Sequence, residues 1–452
     1  MFKHVWLYIS NEDLEIEKTQ LVEEGKDISL VKDDFQRLGQ KDLAEDLSLQ
    51  KEVKELYDRL EELPVRDDYS YEEPSLLAEI KKARPAKDGH IKNDLPEASL
   101  RDKLLGAWLG RCSGCLLGKP VEGWKSDKMW PFLKETNNFP LQNYFYTSDI
   151  PEEILDKYDI DPDTYKYFKN IDYMPEDDDT NYTVTSLAIL KKHKKDFTPR
   201  DVANFWLGNI PLLHTCTAER VAYKNFSNLV EPPRSARYQN PYREWIGAQI
   251  RGDVFGYVNL GNPERAAEFA WRDASISHVK NGIYGEMWVA AMLAVAPLVS
   301  EMEEVIRLGL AQIPEKSRLT EAIQEILDWY REGIGYREAI SRIHDKWDEY
   351  NGHHWCHTIS NAQIVAFALL WGEKDFEKSI CRSVEACFDT DCNGATVGSI
   401  VGMMLGAENL PEKWIGPLND ELHTGIQGYT KMKISELVKD TFVFYKEINK
   451  NI

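Results

Sequence analysis

The sequence predicts an all-α fold, a bundle of orthogonally packed helices that carries a helical extension at its N-terminus. Beyond residue 96, apolar residues recur every three to four positions, which is the spacing of a helix with one buried face. Runs that alternate between apolar and polar residues, the mark of strands, are few. The spacing predicts helices over these segments: 100–118, 180–195, 199–207, 263–274, 281–299, 318–332, 336–349, 359–371, 375–387, 394–407 and 433–448.

Residues 1–95 are predicted to form an N-terminal helical extension that precedes a main domain of residues 96–452. The stretch is rich in charge and contains three prolines. Its apolar residues predict a helical hairpin packed on the main domain; a partner-binding arm is the alternative. Asp94 and Pro96 are typical of a helix start, which places the boundary there. The helically spaced apolar residues are Leu43, Leu47, Val53, Leu56, Leu60 and Leu63.

Residues 124–176 interrupt the pattern of helices. They contain five prolines and several aromatic residues in a stretch without clear periodicity. A long irregular insertion in a compact domain is often a lid or a binding loop. The alternative is a surface excursion that is held in place by its own aromatic side chains.

Composition and charge narrow the class of protein. The chain has 452 residues, 42% of them hydrophobic, and a formal net charge of −21. Such a charge argues against a general nucleic-acid groove and against an anionic membrane surface, since both need clustered Lys and Arg. There is no long apolar segment at the N-terminus and no run of eighteen apolar residues, and the seven cysteines are an odd number. We therefore expect a cytoplasmic protein with reduced thiols.

Glycines recur every fourth residue in the first helix of the main domain, at Gly106, Gly110, Gly114 and Gly118. Residues at this spacing lie above one another, with a drift of ~40° per step, and leave a groove without side chains. Each glycine costs ~1 kcal/mol relative to alanine, so the run predicts a helix packed very closely on a neighbour. The helix should end near Gly118, which leaves Glu122 in the loop beyond.

Two acidic segments precede apolar helices. The first is Glu176 to Thr180, with three consecutive aspartates, and the second is Phe388 to Gly394, with Asp389 and Asp391 two residues apart. A second helix with glycine at every fourth position follows the latter. Neighbouring carboxylates repel one another unless water, a helix N-terminus or a hard cation stabilises them. The repeated construction predicts that both clusters converge on one or two cations; helix capping and solubility are the alternative.

The order of these motifs resembles the ADP-ribosylglycohydrolase family. Four motifs show the resemblance, in this order along the chain: the glycine helix that ends in Pro-x-Glu, then Asp-Asp-Thr, then a histidine segment, and finally Asp-Thr-Asp before a helix rich in Gly and Ala. The resemblance covers roughly residues 100–445 and leaves residues 1–95 outside. It implies a compact all-α fold with a binuclear Mg²⁺ centre between such loops.

The resemblance also implies a set of metal ligands, formed by Asp177, Asp178 and Asp179 in the first cluster and by Asp389, Asp391 and Cys392 in the second. The family usually has threonine where Asp177 and Cys392 stand. A thiol is a poor partner for a hard ion, so the second ion is expected to be weaker, different or absent. We expect one or two Mg²⁺ ions, with Ca²⁺ or Mn²⁺ as alternatives.

Catalytic and substrate-binding candidates follow from the same resemblance. Glu122 matches the acidic residue near the metals and is the candidate general acid/base, a role that Asp389 could share. Residues 245–252, which include Arg251, loosely resemble a loop that binds the diphosphate, but they lack its usual glycines. The family's histidine segment borders the substrate pocket, and its matches here are His278, Asn281 and Gly282.

Three histidines and a cysteine crowd the segment Asn351 to His357. By composition they could bind zinc, but they are too close together for one tetrahedral site without further ligands from elsewhere. We predict a loop that lines the pocket, with His357 as a substrate contact.

The sequence therefore predicts a metal-dependent hydrolase of a glycosidic bond at a ribose-like anomeric carbon. Its substrate would be a small-molecule glycoside or an ADP-ribosylated group, with no nucleic-acid or membrane partner. Two alternatives stay open: hydrolysis of another nucleoside or sugar glycoside on the same metal site, and a catalytically inactive relative that binds a ligand.

Overall fold

The computed structural model describes residues 4–85, 90–161 and 172–450, and it confirms the all-α fold. The helices of the N-terminal extension are α1 (Asn11–Glu23), α2 (Lys32–Gly39), α3 (Leu47–Leu60) and α4 (Leu77–Ala83). The first helices of the main domain are α5 (Glu97–Gly118), α6 (Ser126–Glu135), α7 (Glu152–Lys157), α8 (Asp178–His193), α9 (Pro199–Asn209), α10 (Thr217–Ser227), α11 (Arg234–Arg237), α12 (Asp253–Tyr257) and α13 (Pro263–Ala274). They are followed by α14 (Lys280–Val295), α15 (Met302–Leu310), α16 (Arg318–Arg331), α17 (Tyr336–Lys346), α18 (Gly352–Cys356), α19 (Thr358–Trp371), α20 (Phe376–Glu385), α21 (Thr390–Leu405), α22 (Glu412–Ile415) and α23 (Ile434–Ile448).

Short elements connect these helices. Single 3₁₀ turns lie at Ile28–Val31, Lys119–Val121, Thr147–Asp149, Lys194–Asp196, Leu212–His214, Ile246–Arg251, Ala407–Asn409 and Gly416–Leu418. The strands Glu421–His423 (β1) and Lys431–Lys433 (β2) pair in antiparallel fashion, with Glu421 opposite Lys433. Within the described residues, no helix is both long and apolar enough to span a bilayer.

The 124–176 insertion contains the helices α6 and α7, which its proline-rich sequence did not indicate. Helix α6 contains Pro131 in its interior, and its side chains Met129, Phe132 and Leu133 are buried. Burial of this apolar face outweighs the hydrogen bond that proline removes. The prediction of a wholly irregular insertion was therefore wrong at α6 and α7. Residues 162–171 of the insertion lie outside the described part of the chain, and its role as a lid stays a prediction.

The two glycine helices pack directly on each other. A methyl group at Gly106, Gly110 or Gly114 would overlap the backbone carbonyl of Gly402, Gly398 or Gly394 on α21, respectively. At the end of this seam the Thr390 hydroxyl donates a hydrogen bond to the carbonyl of Gly118 over 2.9 Å. The predicted close approach is confirmed. The seam fixes the C-terminus of α5 against the N-terminus of α21, which is where the acidic segments lie.

We expect Gly114→Ala to destabilise the protein by about 3 kcal/mol, because the added methyl meets backbone that cannot move aside. Gly208→Ala makes the same change on α9, where a methyl group would meet nothing within 4 Å, and it should stabilise by up to ~1 kcal/mol. Urea unfolding of both variants measures the difference. Equal effects in the two variants would contradict the close packing of the seam.

Three of the four helices of the extension, α1, α2 and α3, pack together, so the extension is not the predicted hairpin. Its own apolar core is separate from that of the main domain and consists of Ile9, Leu14, Leu21, Val31, Phe35, Leu38, Leu43, Leu49, Val53, Leu56, Tyr57, Leu60 and Leu63. The carboxylate of Asp94 forms an ion pair with Lys92 and does not cap α5. A division of the chain at residue 95 stays a prediction.

Buried ion pairs join the extension to the main domain. Arg243 contacts Glu17 at 2.6 Å and Glu24 at 2.7 Å. Arg318 contacts Glu73 of the extension at 3.0 Å and Glu244 of the main domain at 2.7 Å. All these carboxylates are almost inaccessible to water. The extension is therefore held by charge pairing in the interior, where loss of one partner is costly.

Candidate metal centre and active site

The two acidic segments meet at one end of the glycine seam. Ligand atoms of Glu122, Asp389 and Asp391 lie within 4.8 Å of one another. The same holds for Asp179, Asp391 and Cys392, and for Cys115, Asp177 and Asp179. Carboxylates from the loop after α5 and from the N-termini of α8 and α21 therefore share one cluster, with Asp391 common to two of the groups.

Asp177 is tied into the protein by both carboxylate oxygens. As the N-cap of α8, its Oδ1 accepts the backbone N–H of Asp179 at 2.9 Å. Its Oδ2 accepts a hydrogen bond from the ammonium of Lys119 at 2.7 Å. These contacts lower the pKa of Asp177 despite its burial. The carboxylate is satisfied by the chain alone.

Asp179 and Asp391 each keep a buried oxygen without a partner. Arg111 donates to Oδ1 of Asp179 at 3.0 Å, whereas Oδ2 of Asp179 and Oδ1 of Asp391 have no hydrogen bond. No ion pair joins Asp178, Asp389, Asp391 or Glu122 to any described Lys or Arg. Buried carboxylate oxygens without partners are costly, and a hard cation is the ligand that stabilises them. The residues present fit a divalent cation.

Mutual repulsion shapes the protonation of this cluster. Burial, followed by the nearby Asp177 carboxylate, raises the pKa of Asp391 to about 6. The Asp391 carboxylate, together with burial and Asp177, raises the pKa of Glu122 to about 9. Burial and Asp391, which is within hydrogen-bonding reach, raise the pKa of Asp389. Without a cation, the cluster therefore retains protons near neutral pH.

Comparison with known proteins shows which family the chain belongs to. A family model described as ADP-ribosylglycohydrolase matches residues 96–448. The chain belongs to the ADP-ribosylglycohydrolase family. Membership supports a glycosyl-hydrolase-like function, and the match leaves the N-terminal extension outside.

Individual relatives of this ADP-ribosylglycohydrolase-family chain are distant. A protein of Archaeoglobus fulgidus described as uncharacterized is 30% identical over 203 residues, which are 44% of this chain and 60% of that protein. A solved chain described as an ADP-ribosylglycohydrolase-related protein complex is 18% identical, with a TM-score of 0.47. The similarity covers 77% of this chain and 99% of the solved one.

Sequence reasoning missed Asn361, which holds the second acidic segment of this family member in place. Its Oδ1 accepts the backbone N–H of Asp389 at 3.2 Å and the Nδ2–H of Asn393 at 2.8 Å. Its Nδ2 donates to the carbonyls of Trp355 at 2.9 Å and His357 at 3.0 Å. A polar residue in the apolar helix α19 was the only signal, and it did not indicate the partners.

The histidine segment forms the short helix α18 where we predicted a loop, and its role in lining a pocket stays a prediction. His353 and His357 lie against Glu23 of the extension, and the three side chains form a group within 4.8 Å. The indole N–H of Trp245 donates to Nδ1 of His353 at 3.0 Å, and the backbone N–H of Ile359 donates to Nδ1 of His357 at 3.1 Å. Each neutral ring therefore carries its proton on Nε2, the atom that faces Glu23. Since a zinc ligand must offer a lone pair, this arrangement argues against zinc and describes a docking contact.

We expect Glu23 to hold the extension more weakly in acid. Although burial raises its pKa, the hydrogen bond from His353 and the neighbouring His357 and Arg318 lower the pKa of Glu23 from 4.5 to about 2. A lowered carboxyl pKa gives stability that is present above pH 4.5 and is lost as the pH falls through about 2.

Unfolding in urea at pH 7 and at pH 2.5 measures this contribution. Glu23→Gln should cost about 2–3 kcal/mol at pH 7 and much less at pH 2.5. Glu15→Gln, on the same helix but exposed, should cost little at either pH. A cost of Glu23→Gln that does not change with pH would contradict the charged docking contact.

Two of the predicted substrate-binding residues, Arg251 and Asn281, have their polar groups paired within the fold. Arg251 is fully buried and forms ion pairs with Glu219, at 3.0 Å, and with Asp273. Asn281 donates to Glu73 at 2.8 Å and to Glu244 at 2.7 Å. Their polar groups are used inside the fold, so neither is free to bind a substrate.

His278, Gly282 and His357 are buried as well. His278 contacts the hydroxyl of Ser277 at 2.8 Å, and burial lowers its pKa well below the ordinary value. A methyl group at Gly282 would come within 2.7 Å of the Arg243 carbonyl, which makes this glycine a packing requirement. His357 has an exposed side-chain fraction of 1%. His357 faces Glu23 of the extension, whereas His278 and Gly282 contact residues of the main domain.

Proposed function

We propose that this protein is a divalent-metal-dependent hydrolase of a glycosidic bond at a ribose-like anomeric carbon, with an ADP-ribosylated group as substrate. The observation that carries the proposal is the convergence of six carboxylates from three parts of the chain. They belong to Glu122, Asp177, Asp178, Asp179, Asp389 and Asp391, and two of their buried oxygens have no partner.

The divalent cation would be held by Asp391 together with Asp389 and Glu122. The ligand atoms of Glu122, Asp389 and Asp391 are already close to one another, and the Asp179 carboxylate lies near Asp391. Asp178, near Asp391 and Asp177, completes the negative surroundings. When bound, such a cation can bind vicinal sugar hydroxyls and lower the pKa of a water molecule. Mg²⁺ suits these oxygen ligands, as do Mn²⁺ and Ca²⁺.

Glu122 is placed to move a proton at the reacting bond. It follows the 3₁₀ turn at the end of α5 and is the exposed member of the cluster, whereas Asp389 and Asp391 are buried. A substrate that enters from solvent therefore meets the Glu122 carboxyl group first. That group can transfer a proton to the leaving oxygen or nitrogen, or accept one from the attacking water.

The remaining carboxylates would stabilise the positive charge that develops in the transition state. Cleavage at an anomeric carbon passes through an oxocarbenium-like state with positive charge on the ring. Carboxylates held in place by the protein stabilise that charge without reorganisation. Asp389 is held from both sides, by the Asn361 contact to its backbone and by its contact with Asp391.

One observation favours a second candidate, a glycoside without a diphosphate. Arg251 was the expected anchor for the phosphates, and its guanidinium is paired with Glu219 and Asp273 in the interior. A nucleoside or a simple riboside would not need this anchor. The same cluster would cleave it by the same steps.

A substrate panel separates the two candidates. Purified protein is assayed with Mg²⁺, Mn²⁺ or EDTA against O- and N-linked ADP-ribosyl compounds, nucleosides and simple ribosides. We expect turnover of the ADP-ribosyl compounds that EDTA abolishes. Turnover of ribosides alone would support the second candidate, and no turnover with any compound would support an inactive ligand-binding relative.

Glu122→Gln tests the proton-transfer role. The variant keeps the size of the side chain and should lower kcat by about 10²–10⁴-fold, since it cannot exchange a proton. Glu55→Gln, an exposed substitution in the extension, should leave kcat unchanged. A Glu122→Gln variant with the activity of the unsubstituted protein would remove Glu122 from the mechanism.

A further inference from the structure

Lys119 lies inside the acidic cluster, in the turn between α5 and Glu122. Its ammonium contacts the Asp177 carboxylate at 2.7 Å, and the side chain of Asp177 has an exposed fraction of only 2%. An ammonium group carries one positive charge and three donors. It therefore supplies Asp177 with the counter-charge that a metal ion would otherwise provide.

Most ligand atoms in the group formed by Cys115, Asp177 and Asp179 are already engaged or unsuited to a hard cation. Both oxygens of Asp177 are occupied, one by Lys119 and one by the backbone of α8. One oxygen of Asp179 accepts from Arg111. The third member is a thiol, which is a poor ligand for a hard cation. A second divalent ion in this group would have to displace Lys119, and of the group's carboxylate oxygens only Oδ2 of Asp179 has no partner.

The group formed by Glu122, Asp389 and Asp391 has a different character. Glu122, Asp389 and Asp391 are three carboxylates without an ion pair to any described Lys or Arg, and Oδ1 of Asp391 is buried without a partner. The position between them has the charge and the donor atoms that a hard divalent ion requires. The two groups therefore differ in their counter-charge: Asp177 is paired with a fixed ammonium, whereas Glu122, Asp389 and Asp391 have no described Lys or Arg as an ion-pair partner.

We propose that the ammonium of Lys119 takes the place of one divalent cation, so that this protein binds a single metal ion, at Glu122, Asp389 and Asp391. The proposal rests on the metal site of the proposed function and concerns the number and position of its ions. It assigns to Lys119 the role of a built-in cation that balances Asp177 permanently.

Counting bound Mn²⁺ tests the proposal without any assay of hydrolysis. Isothermal titration and the electron paramagnetic resonance spectrum of the full chain should give one Mn²⁺ per chain, with the spectrum of an isolated ion. Lys119→Met removes the charge and keeps the aliphatic stem. It should bind two ions per chain, and metals about 3.5–4 Å apart in such centres give a magnetically coupled spectrum.

Two further variants serve as controls. Lys119→Arg keeps a positive charge and should still bind one ion. Lys191→Met breaks a comparable Lys–Asp pair on the surface, to Asp440 at 2.6 Å, and should also bind one ion. Circular dichroism checks that each variant is folded, and the count for the unsubstituted protein decides the question if Lys119→Met is not.

The possible outcomes separate the role of Lys119 from the proposed metal site. Two coupled ions in the unsubstituted protein, or a single ion in folded Lys119→Met, would overturn the role of Lys119 and leave the proposed hydrolase intact. Absence of Mn²⁺ binding in all proteins would overturn both this proposal and the metal site of the proposed function.

Discussion

Replacing Asp391 by asparagine should abolish metal binding and hydrolysis, and should make the metal-free protein more stable. Asp391 is common to two of the ligand groups and has a buried oxygen without a partner. Its loss removes the centre of the cation site. We expect kcat/KM to fall by at least about 10³-fold, which corresponds to ~4 kcal/mol of transition-state stabilisation.

The gain in stability follows from the raised pKa of Asp391. Its folded-state pKa is about 6, against an ordinary 3.8. A carboxyl group whose pKa is raised on folding stabilises the folded state when the pH is below its unfolded-state pKa of 3.8. This contribution is lost as the pH rises through the folded-state pKa of about 6. At pH 7.5 the ionised group therefore opposes folding by up to about 3 kcal/mol, and the neutral amide removes that cost.

Three measurements check the Asp391→Asn variant. Titration with Mn²⁺ gives the metal affinity, a turnover assay gives kcat/KM, and urea unfolding in EDTA at pH 7.5 gives the free energy of unfolding. Asp440→Asn, at a surface ion pair with Lys191, is the matched control and should change none of them by much. Retained turnover would contradict the place of Asp391 at the centre of the cation site, and a less stable metal-free variant would contradict the repulsion within the cluster.

Arg318→Met should cost about 3–5 kcal/mol, because it leaves two buried carboxylates without their counter-charge. Arg318 contacts Glu73 and Glu244, whose side chains have exposed fractions of 1% and 0%. Glu73 belongs to the extension and Glu244 to the main domain. The substitution therefore weakens the attachment of the extension as well as the interior of the main domain.

Equilibrium urea unfolding at pH 7 measures this cost. Arg331→Met is the control, since Arg331 pairs with Glu303 and Asp328 on the surface, where ion pairs contribute ~0–1 kcal/mol. Limited proteolysis should cleave the extension of Arg318→Met faster than that of the control. A cost below 1 kcal/mol for Arg318→Met would mean that the buried pairing does not hold the extension.

Much of the helical architecture could be predicted because its signals are local. The glycines at every fourth position of α5 and α21 indicated a close helix contact. In the structure these two helices pack together, and the glycines of one lie against the backbone carbonyls of the other. Helix α6 was missed because Pro131 is a local signal against a helix. Its burial against the rest of the domain is a tertiary effect that periodicity does not report.

Some residues of the candidate site could likewise be predicted from the sequence, and others could not. The aspartates at 177–179, 389 and 391 could be nominated from residue type and spacing, and the structure places them in one cluster. Arg251 and Asn281 were nominated from the family resemblance, and they lie in the interior with Glu219, Asp273, Glu73 and Glu244. Residue type could not separate these cases, because an arginine that binds phosphate and one that pairs with a buried carboxylate have the same chemistry.

The sequence by itself determined the all-α class, the glycine faces and the presence of two acidic helix starts. Each of these depends on residues within a few turns of one another, whose geometry the backbone sets. The tertiary structure alone decided which polar side chains pair: Lys119 with Asp177, Arg318 with Glu73, and His353 with Glu23. Such pairs join residues 58, 245 and 330 positions apart, and their energies depend on burial, which exists only once the helices have packed.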